Sequence, residues 1–429
     1  MIATIVISVI TFLLITLSIL FFPRIKIGKI NISTYWLIAL IGAVILLITS
    51  LSPIGEVWNE LTNNSNINPL KIIILFFSMT LLSIFLDEVG LFRYLANIAS
   101  KKAGNNQYAL FTILYVLVAL LTIFTSNDIV ILTFTPFICF FAKNAKINAV
   151  PYLVAEFAAA NTWSLMLIIG NPTNIYLATS FNITFFDYFK VMAVPTLVTG
   201  IVEYILLFLI FRSKLKETIN LEYQQYHISN KVMLYIGVFH LVVCLIFLVI
   251  SSYVNIAMWI IALISALSLL LTTTMYALVS KKDIKYISHS LKKLPYPLIP
   301  FFLSMVVIVV AINYQGISSA LANILNNQYP IWTYGYTSFI ASNLINNIPM
   351  SILFSNMCTS KEAIYASIVG SNIGAFLTPT GALAGIMFTS LVNEHHTKYT
   401  FIDFIKYGAI TSLPIISICL LMLTLTISF

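Results

Sequence analysis

The sequence predicts an all-α, polytopic helical membrane protein, and three observations carry that expectation. Of its 429 residues, 60% are hydrophobic and only 8% charged, whereas soluble domains carry about a quarter charged residues. The apolar residues fall in long uninterrupted runs, matching the roughly 20 residues a helix needs to cross hydrocarbon. Those runs lack the alternation that barrel strands show. The net charge of +8 sits in short clusters between apolar runs, as in cytoplasmic loops under the positive-inside rule, which argues for a lipid bilayer as partner and against nucleic acid.

Read in order, residues 1–22 are apolar from the start, without a basic leader or a small-residue cleavage pattern before "RIKIGK". They read as a retained first span of a multi-pass protein of the cytoplasmic membrane, with its N-terminus outside. Arg24, Lys26 and Lys29 mark the inner face, and "SPIGEVWNELTNNSNINP" at 52–69, free of Lys and Arg, suits the outer one. Arg93, Lys101 and Lys102 follow the third span and return the chain to the inside. Residues 107–142 carry two apolar stretches around the polar tip "TSND". They are either two spans joined outside or a hairpin that enters from the cytoplasm and returns. The short acidic tip, flanked by Thr122, Thr125 and Thr133, favours the hairpin. Lys143 and Lys146 close it on the inner side. Arg212, Lys214 and Lys216 open a polar cytoplasmic linker at 213–231, "SSYVNI" at 251–256 is an outer loop, and Lys281, Lys282, Lys285, Lys292 and Lys293 lie inside again. The count is about ten spans plus two re-entrant hairpins. The expected organisation is scaffold spans in 1–69, a first repeat in 70–212, the linker 213–231, scaffold spans in 232–295 and a second repeat in 296–429.

The repeat rests on four features in one order. "FFSMTLLSIFLDEVGLFRYLANI" at 76–98 resembles "FFLSMVVIVVAINYQGISSALANI" at 301–324, with Gly90 and Gly316, and the two "LANI" words, separated by 226 residues. Each half then has a polar pair before a proline, "SNDIVILTFTP" and "NLINNIPM", and a small-residue run ending in a break, "AAANTWSLMLIIGNPTN" and "GSNIGAFLTPTGALAG". The first copy starts from the outside and the second from the cytoplasm, so the repeats are inverted. Inverted repeats are the mark of many secondary transporters, whose site lies where interrupted helices of both halves meet near the midplane.

Pro172 lacks an N–H and Gly170 tolerates unusual backbone angles, so the pair is expected to unwind a helix and free backbone groups as ligands. Pro349 and Pro379 mark the corresponding breaks of the second half. Such backbone survives at membrane depth only where protein or a cavity surrounds it. Helix N-termini aimed at the gap suit an anion, and freed carbonyls suit a cation such as sodium. The candidate ligands are Ser126, Asn127, Asn161, Gly170, Asn171, Thr173, Asn174, Asn346, Asn347, Ser371, Asn372, Thr378 and Thr380, rich in amides and hydroxyls and without fixed charge.

Three acids are coupling candidates, Asp128, Asp87 and Glu156, and a fourth, Glu203, is noted without a role. Asp128, at the hairpin tip, is a proton or cation site or else a cap facing water. Asp87, beside Glu88 and Arg93, is an interfacial ion pair or a coupling group. Glu156 follows Lys143 and Lys146 and reads as a structural pair or a functional acid. Glu203 lies within an apolar run with no partner evident. The five histidines, with His395 and His396 on a cytoplasmic loop, show no metal spacing and read as solvated. Cys139, Cys244, Cys358 and Cys419 are scattered packing residues, implying neither disulfide nor metal site. No cofactor is expected beyond a coupling sodium ion or proton. No phosphate-binding loop points to ATP, and no nucleophile with a base points to an enzyme.

At "LDEVGLFRYLA", "SNDIVILTFTPF" and "GNPTNIYLA" the chain resembles the ion transporter superfamily that includes arsenical pump membrane proteins, citrate carriers and divalent-anion/sodium symporters. The first two words are most similar to the arsenical pump branch, and the third to citrate-carrier relatives. In the symporters, Ser-Asn-Thr at hairpin tips binds carboxylate and sodium. Ser126 and Asn127 match its first two positions, Asp128 replaces the Thr, and Asn346 and Asn347 hold the second tip without that motif. Asn161 and Asn372 stand where arsenite carriers have acids. The resemblance implies an ion-coupled carrier for a small anion or oxyanion, with a scaffold and a moving part, acting in family members often as a homodimer. Arsenite or antimonite efflux is the first expectation and sodium-coupled citrate or dicarboxylate uptake the alternative. A channel is disfavoured by the paired broken helices, and a membrane enzyme by the lack of a clustered acid, base and metal set.

Overall fold

The computed structural model describes residues 1–22, 24–27, 30–63, 68–216, 228, 230–254, 256–280, 285–326 and 328–428. Lys29, Lys281, Lys282 and most of the 213–231 linker lie outside them. The first half runs α1 (Ile2–Phe21), a short antiparallel pair β1 (Arg24–Ile27) and β2 (Ile30–Ser33), α2 (Thr34–Ile48), α3 (Ile54–Thr62), α4 (Pro69–Val89), α5 (Leu91–Ala103), α6 (Gln107–Phe124), α7 (Asn127–Ala145), α8 (Val150–Trp163), α9 (Pro172–Ser180) and α10 (Phe185–Phe211). The second runs α11 (Lys231–Val254), α12 (Met258–Val279), α13 (Lys285–Lys292), α14 (Leu298–Tyr314), α15 (Ile317–Leu325), α16 (Pro330–Ile345), α17 (Asn347–Met357), α18 (Lys361–Gly374), α19 (Leu383–Glu394) and α20 (Phe401–Ser428). The two-stranded pair departs from the all-α expectation at the loop after the first span and nowhere else among the described residues.

Local chemistry sets the element ends. Asn68 caps α4, its side-chain oxygen accepting from the Leu70 and Lys71 amides, and Pro69 takes the first position, where a missing N–H costs nothing. Gly90 and Gly316 hold the left-handed turns after α4 and α14, at φ of 95° and 71°. The same backbone device thus recurs at the same place in both halves.

Eight described helices are long and apolar enough to cross a membrane: α1, α4, α6, α7, α10, α11, α12 and α20. The bent pair α14 and α15, at 79°, adds a ninth, and α2 is a shorter apolar helix. With α6 and α7 taken as a hairpin, the continuous spans are α1, α2, α4, α10, α11, α12, α14 and α20, and the broken spans are α8/α9 and α18/α19. That total reaches the expected ten plus two hairpins only with the 15-residue α2, shorter than α16, counted as a span; by length and composition alone the described spans are eight or nine. Helices α16 and α17, of 16 and 11 residues, rise about 24 and 17 Å, short of a ~30 Å hydrocarbon core. Helices α6 and α7, of 18 and 19 residues, are long enough to cross, so their hairpin reading rests on their correspondence to α16 and α17.

The halves interlock by exchange. Helix α2 packs on α14 while α12 packs on α4, α7 packs on α19 while α17 packs on α9, and α10 lies along α20. Helix α18 approaches α16 closely because Gly370 carries no side chain: a Cβ there would overlap the Ser338 hydroxyl and the Gly335 carbonyl. Gly370→Val should therefore destabilise the purified protein by about 1–3 kcal/mol through forced overpacking. Gly55→Ala, in helix α3, whose added methyl meets nothing within 4 Å, should hold or raise the thermal midpoint, stabilising by up to about 1 kcal/mol, as size-exclusion melting curves of both variants would show.

Candidate functional site

Helix α8 ends at Trp163 and α9 begins at Pro172, with a single 3-10 turn, Ile168–Gly170, between them. Asn171 caps α9, its side-chain oxygen accepting from the Thr173 amide and hydroxyl, each at 3.1 Å. Pro172 therefore starts a helix as much as it ends one. Gly170 has an ordinary φ, contrary to the expectation of unusual backbone angles. Its role is close approach, because a Cβ would collide with the Ser164 carbonyl. That carbonyl accepts from the Asn174 amide at 2.9 Å.

The other half reaches into this break through α18. The Asn372 oxygen accepts from Ser164 Oγ at 2.8 Å and Asn171 Nδ2 at 2.9 Å, and its nitrogen donates to Asn174 Oδ1 at 2.6 Å and the Ile368 carbonyl at 2.9 Å. The single Ser164 hydroxyl proton also has the Asn161 carbonyl in reach at 2.7 Å, so three positions of this amide are filled and the fourth is shared. Ser371 donates to Thr173 Oγ1 at 3.1 Å, and Asn127 donates to Asn161 Oδ1 at 3.2 Å. Asn161, Asn174 and Asn372 have no exposed surface.

Residues Asn346, Asn347, Thr378 and Thr380 form a second cluster around the break between α18 and α19. Asn346 caps α17 and donates to the Thr380 carbonyl at 3.0 Å, and the Asn347 amide donates to the Gly381 carbonyl at 3.1 Å. Asn346 sits at φ 72° and ψ 154°, a region costly for any residue with a Cβ and the kind of strain that collects at ligand clamps. Pro379 lies in the break, but Pro349 stands in the first turn of α17, where its missing N–H is an orphan in any case. It is not a helix break.

Two participants escaped the sequence reading. Ser164 joins the halves, and Asn343 accepts from the Thr378 amide and hydroxyl at 3.1 and 2.6 Å while donating to the Gly374 carbonyl at 3.0 Å. Asn343 was visible only as one of several asparagines in "NLINNIPM". At the hairpin tips, Ser126 Oγ and Asn347 Oδ1 are buried and have no hydrogen-bond partner among the described residues. Ten other described side-chain atoms share that condition, so the tips are distinguished by their place beside the breaks.

The acids are dispersed. Asp128 makes no capping bond, since Ser126 holds that position. It lines a cavity of about 330 Å³ with Tyr35, Thr80, Lys293, Ser390 and Asn393, between the α7 hairpin arm, α19 and the α4/α14 scaffold. Asp87 and Glu88 pair with Lys293 at 3.6 and 2.5 Å, and Glu88 with His289 at 3.4 Å, in place of the expected Arg93. The turn at Gly90 carries Arg93 onto α5, exposed, while α13 and Lys293 directly after it bring the partners from the second half. Glu156 receives the Thr135 hydroxyl at 3.0 and 3.1 Å, with no lysine in its pairing. His240 is not solvated: it is buried in α11 against Ser268, at 3.1 Å.

The chain is 25% identical over 412 residues to an arsenical pump membrane protein of Escherichia coli, covering 91% of this chain and 93% of that one. It is also 25% identical over 414 residues to an arsenical pump membrane protein of Yersinia enterocolitica, with the same coverage. The crystal structure of the YdaH transporter of Alcanivorax borkumensis superposes with a TM-score of 0.57 at 14% identity, over 100% of this chain and 98% of that one, which shows a shared fold. The profile of the citrate transporter family, CitMHS, matches residues 20–363. This chain, a multi-pass membrane transporter, belongs to that family.

Proposed function

We propose that the protein is a secondary active transporter that moves a small anion or oxyanion across the cytoplasmic membrane by alternating access, coupled to a proton or sodium gradient. The leading substrate is arsenite or antimonite, exported from the cell. One observation carries the reading. Two hairpin tips, each latched to the broken helix of its own half, present the unpartnered Ser126 and Asn347 oxygens beside breaks that the two halves complete for each other. Binding through amides, hydroxyls and the N-termini of α7, α9, α17 and α19 supplies partial positive charge without a fixed cation, so release is not opposed by a strong ion pair.

The cavity lined by Lys293 and Asp128 supports an inward-open state, the N-terminus being outside by the count of basic loops. The similarity to arsenical pump proteins favours export. No cysteine is placed in either cluster, all four being free and buried elsewhere, so a metalloid substrate is held through oxygen and amide contacts. Sodium-coupled citrate or dicarboxylate uptake is the second reading, favoured by the family profile and by Ser126 and Asn127 at the first tip. The transporter works in this proposal as a homodimer, as its relatives often do.

Everted vesicles and proteoliposomes should accumulate labelled arsenite when a proton gradient is imposed. Sodium-driven accumulation of labelled citrate, with no arsenite movement, would replace the first reading with the second. Asn347→Ala should abolish transport yet keep the thermal midpoint, because its side-chain oxygen makes no protein bond. Asn372→Ala should lose transport and about 1–3 kcal/mol of stability, because it leaves several buried partners unsatisfied. Asp128→Asn should change the dependence of uptake rate on pH or sodium, and an unchanged dependence measured in proteoliposomes would leave Asp128 as a dipole-complementing residue of α7.

A further inference from the structure

We propose that Glu203, outside both ligand clusters, is the group that binds and releases the coupling proton, with Tyr115 as its switch. This rests on the transport reading above. Glu203 lies on α10 with no exposed surface. Its Oε1 accepts from Thr162 Oγ1 at 2.7 Å, and its Oε2 lies 2.9 Å from the Tyr115 hydroxyl. The same hydroxyl is 2.7 Å from the Gly200 carbonyl and accepts from Trp163 Nε1 at 3.2 Å.

Hydrogen-bond accounting gives this group two complete states. The Tyr115 hydroxyl has one proton and two acceptors in reach. When the carboxylate is ionised, the phenol donates to Oε2. When Oε2 carries a proton, that proton is donated to the phenol oxygen, and the phenol proton turns to the Gly200 carbonyl. One proton is gained, one hydroxyl rotates, and no buried polar atom loses its partner. Glu156 lacks this arrangement, since a single Thr135 hydroxyl serves both of its oxygens.

The surroundings carry no counter-ion. Facing Glu203 are Tyr115 from α6, Thr162 and Trp163 from α8 and Cys419 from α20, with Tyr204 beside it on α10. From α11, His240 and Cys244 turn instead to Ser268 and Met79. No Lys, Arg or His pairs with Glu203 among the described residues. An unpaired carboxylate at membrane depth is costly to keep and marks proton relays. Thr162 and Trp163 end α8 next to Asn161 and Ser164, so the protonation state of Glu203 bears on the helix end that holds the cross-half cluster.

The test is pH-difference infrared spectroscopy of the full-length protein in lipid, wild type against Glu203→Gln, alongside transport of labelled arsenite and labelled citrate. A titrating carboxyl band present in wild type should be missing from the variant. Gradient-driven accumulation should fall more than about tenfold, while exchange of labelled for unlabelled substrate at equal pH persists. A band that titrates alike in both proteins, or undiminished accumulation, overturns the proposal. If wild type moves neither substrate, the anion-transport reading fails while the infrared comparison still decides the role of Glu203. Tyr115→Phe serves if Glu203→Gln does not fold: it should move the band's midpoint by about one pH unit, and an unmoved midpoint overturns the switch.

Discussion

Hydrocarbon offers no water to a free amide or carbonyl, so every interruption of a membrane helix has to be repaired by protein. That constraint organises the centre of this molecule. Between α8 and α9 the repair is made by side chains that imitate backbone: Asn171 takes the amide of Thr173, and Asn174 gives to the carbonyl of Ser164. Asn372 then joins these amides from the opposite half. Neither half can bury its broken helix alone. The exchange of α2 with α14, and of α12 with α4, belongs to the same dependence.

The halves solve the shared problem differently. Asn161 and Asn372 correspond, and each donates to the carbonyl four residues earlier, at 2.8 and 2.9 Å. Beyond that the chemistry diverges. Helix α9 is capped by Asn171, whereas α19 is preceded by Ala382, which cannot cap. The second break is instead held from outside by Asn343 on α16, which reaches both the Thr378 amide and the Gly374 carbonyl. Two breaks of the same shape but different donors make two inequivalent seats at the meeting of the halves.

Spans and repeats were legible in the sequence because each depends on neighbours in the chain. Gly90 and Gly316 declared matching turns, and "GNPTN" declared a break, through local backbone chemistry. What the sequence concealed was set by distant segments. Glu203 looked partnerless because its donors, Thr162 and Tyr115, lie 41 and 88 residues away. Arg93 looked like the partner of the Asp87 and Glu88 pair because it is near in sequence, while Lys293 arrives on the other half. Gly170 was misread for a related reason: its need is a close tertiary approach, which no φ preference reveals. Pro349 looked like a break, yet its position in a first turn removes the conflict.

Charge is placed where the halves meet. The described ion pairs join His289 of α13 and Lys293 just after it to the end of α4 in the other half, and the same Lys293 lines the cavity that reaches Asp128. Lys293 is half exposed, but both carboxylates are only 11% exposed, so parting them would leave two largely buried acids without their cation. A fixed cation deeper in would bind an anion strongly and resist its release. Dipoles in the middle and ion pairs at the cavity lining thus divide the polar chemistry: the proposed site offers partial charge without a fixed cation, and the described fixed charges pair where the two halves meet.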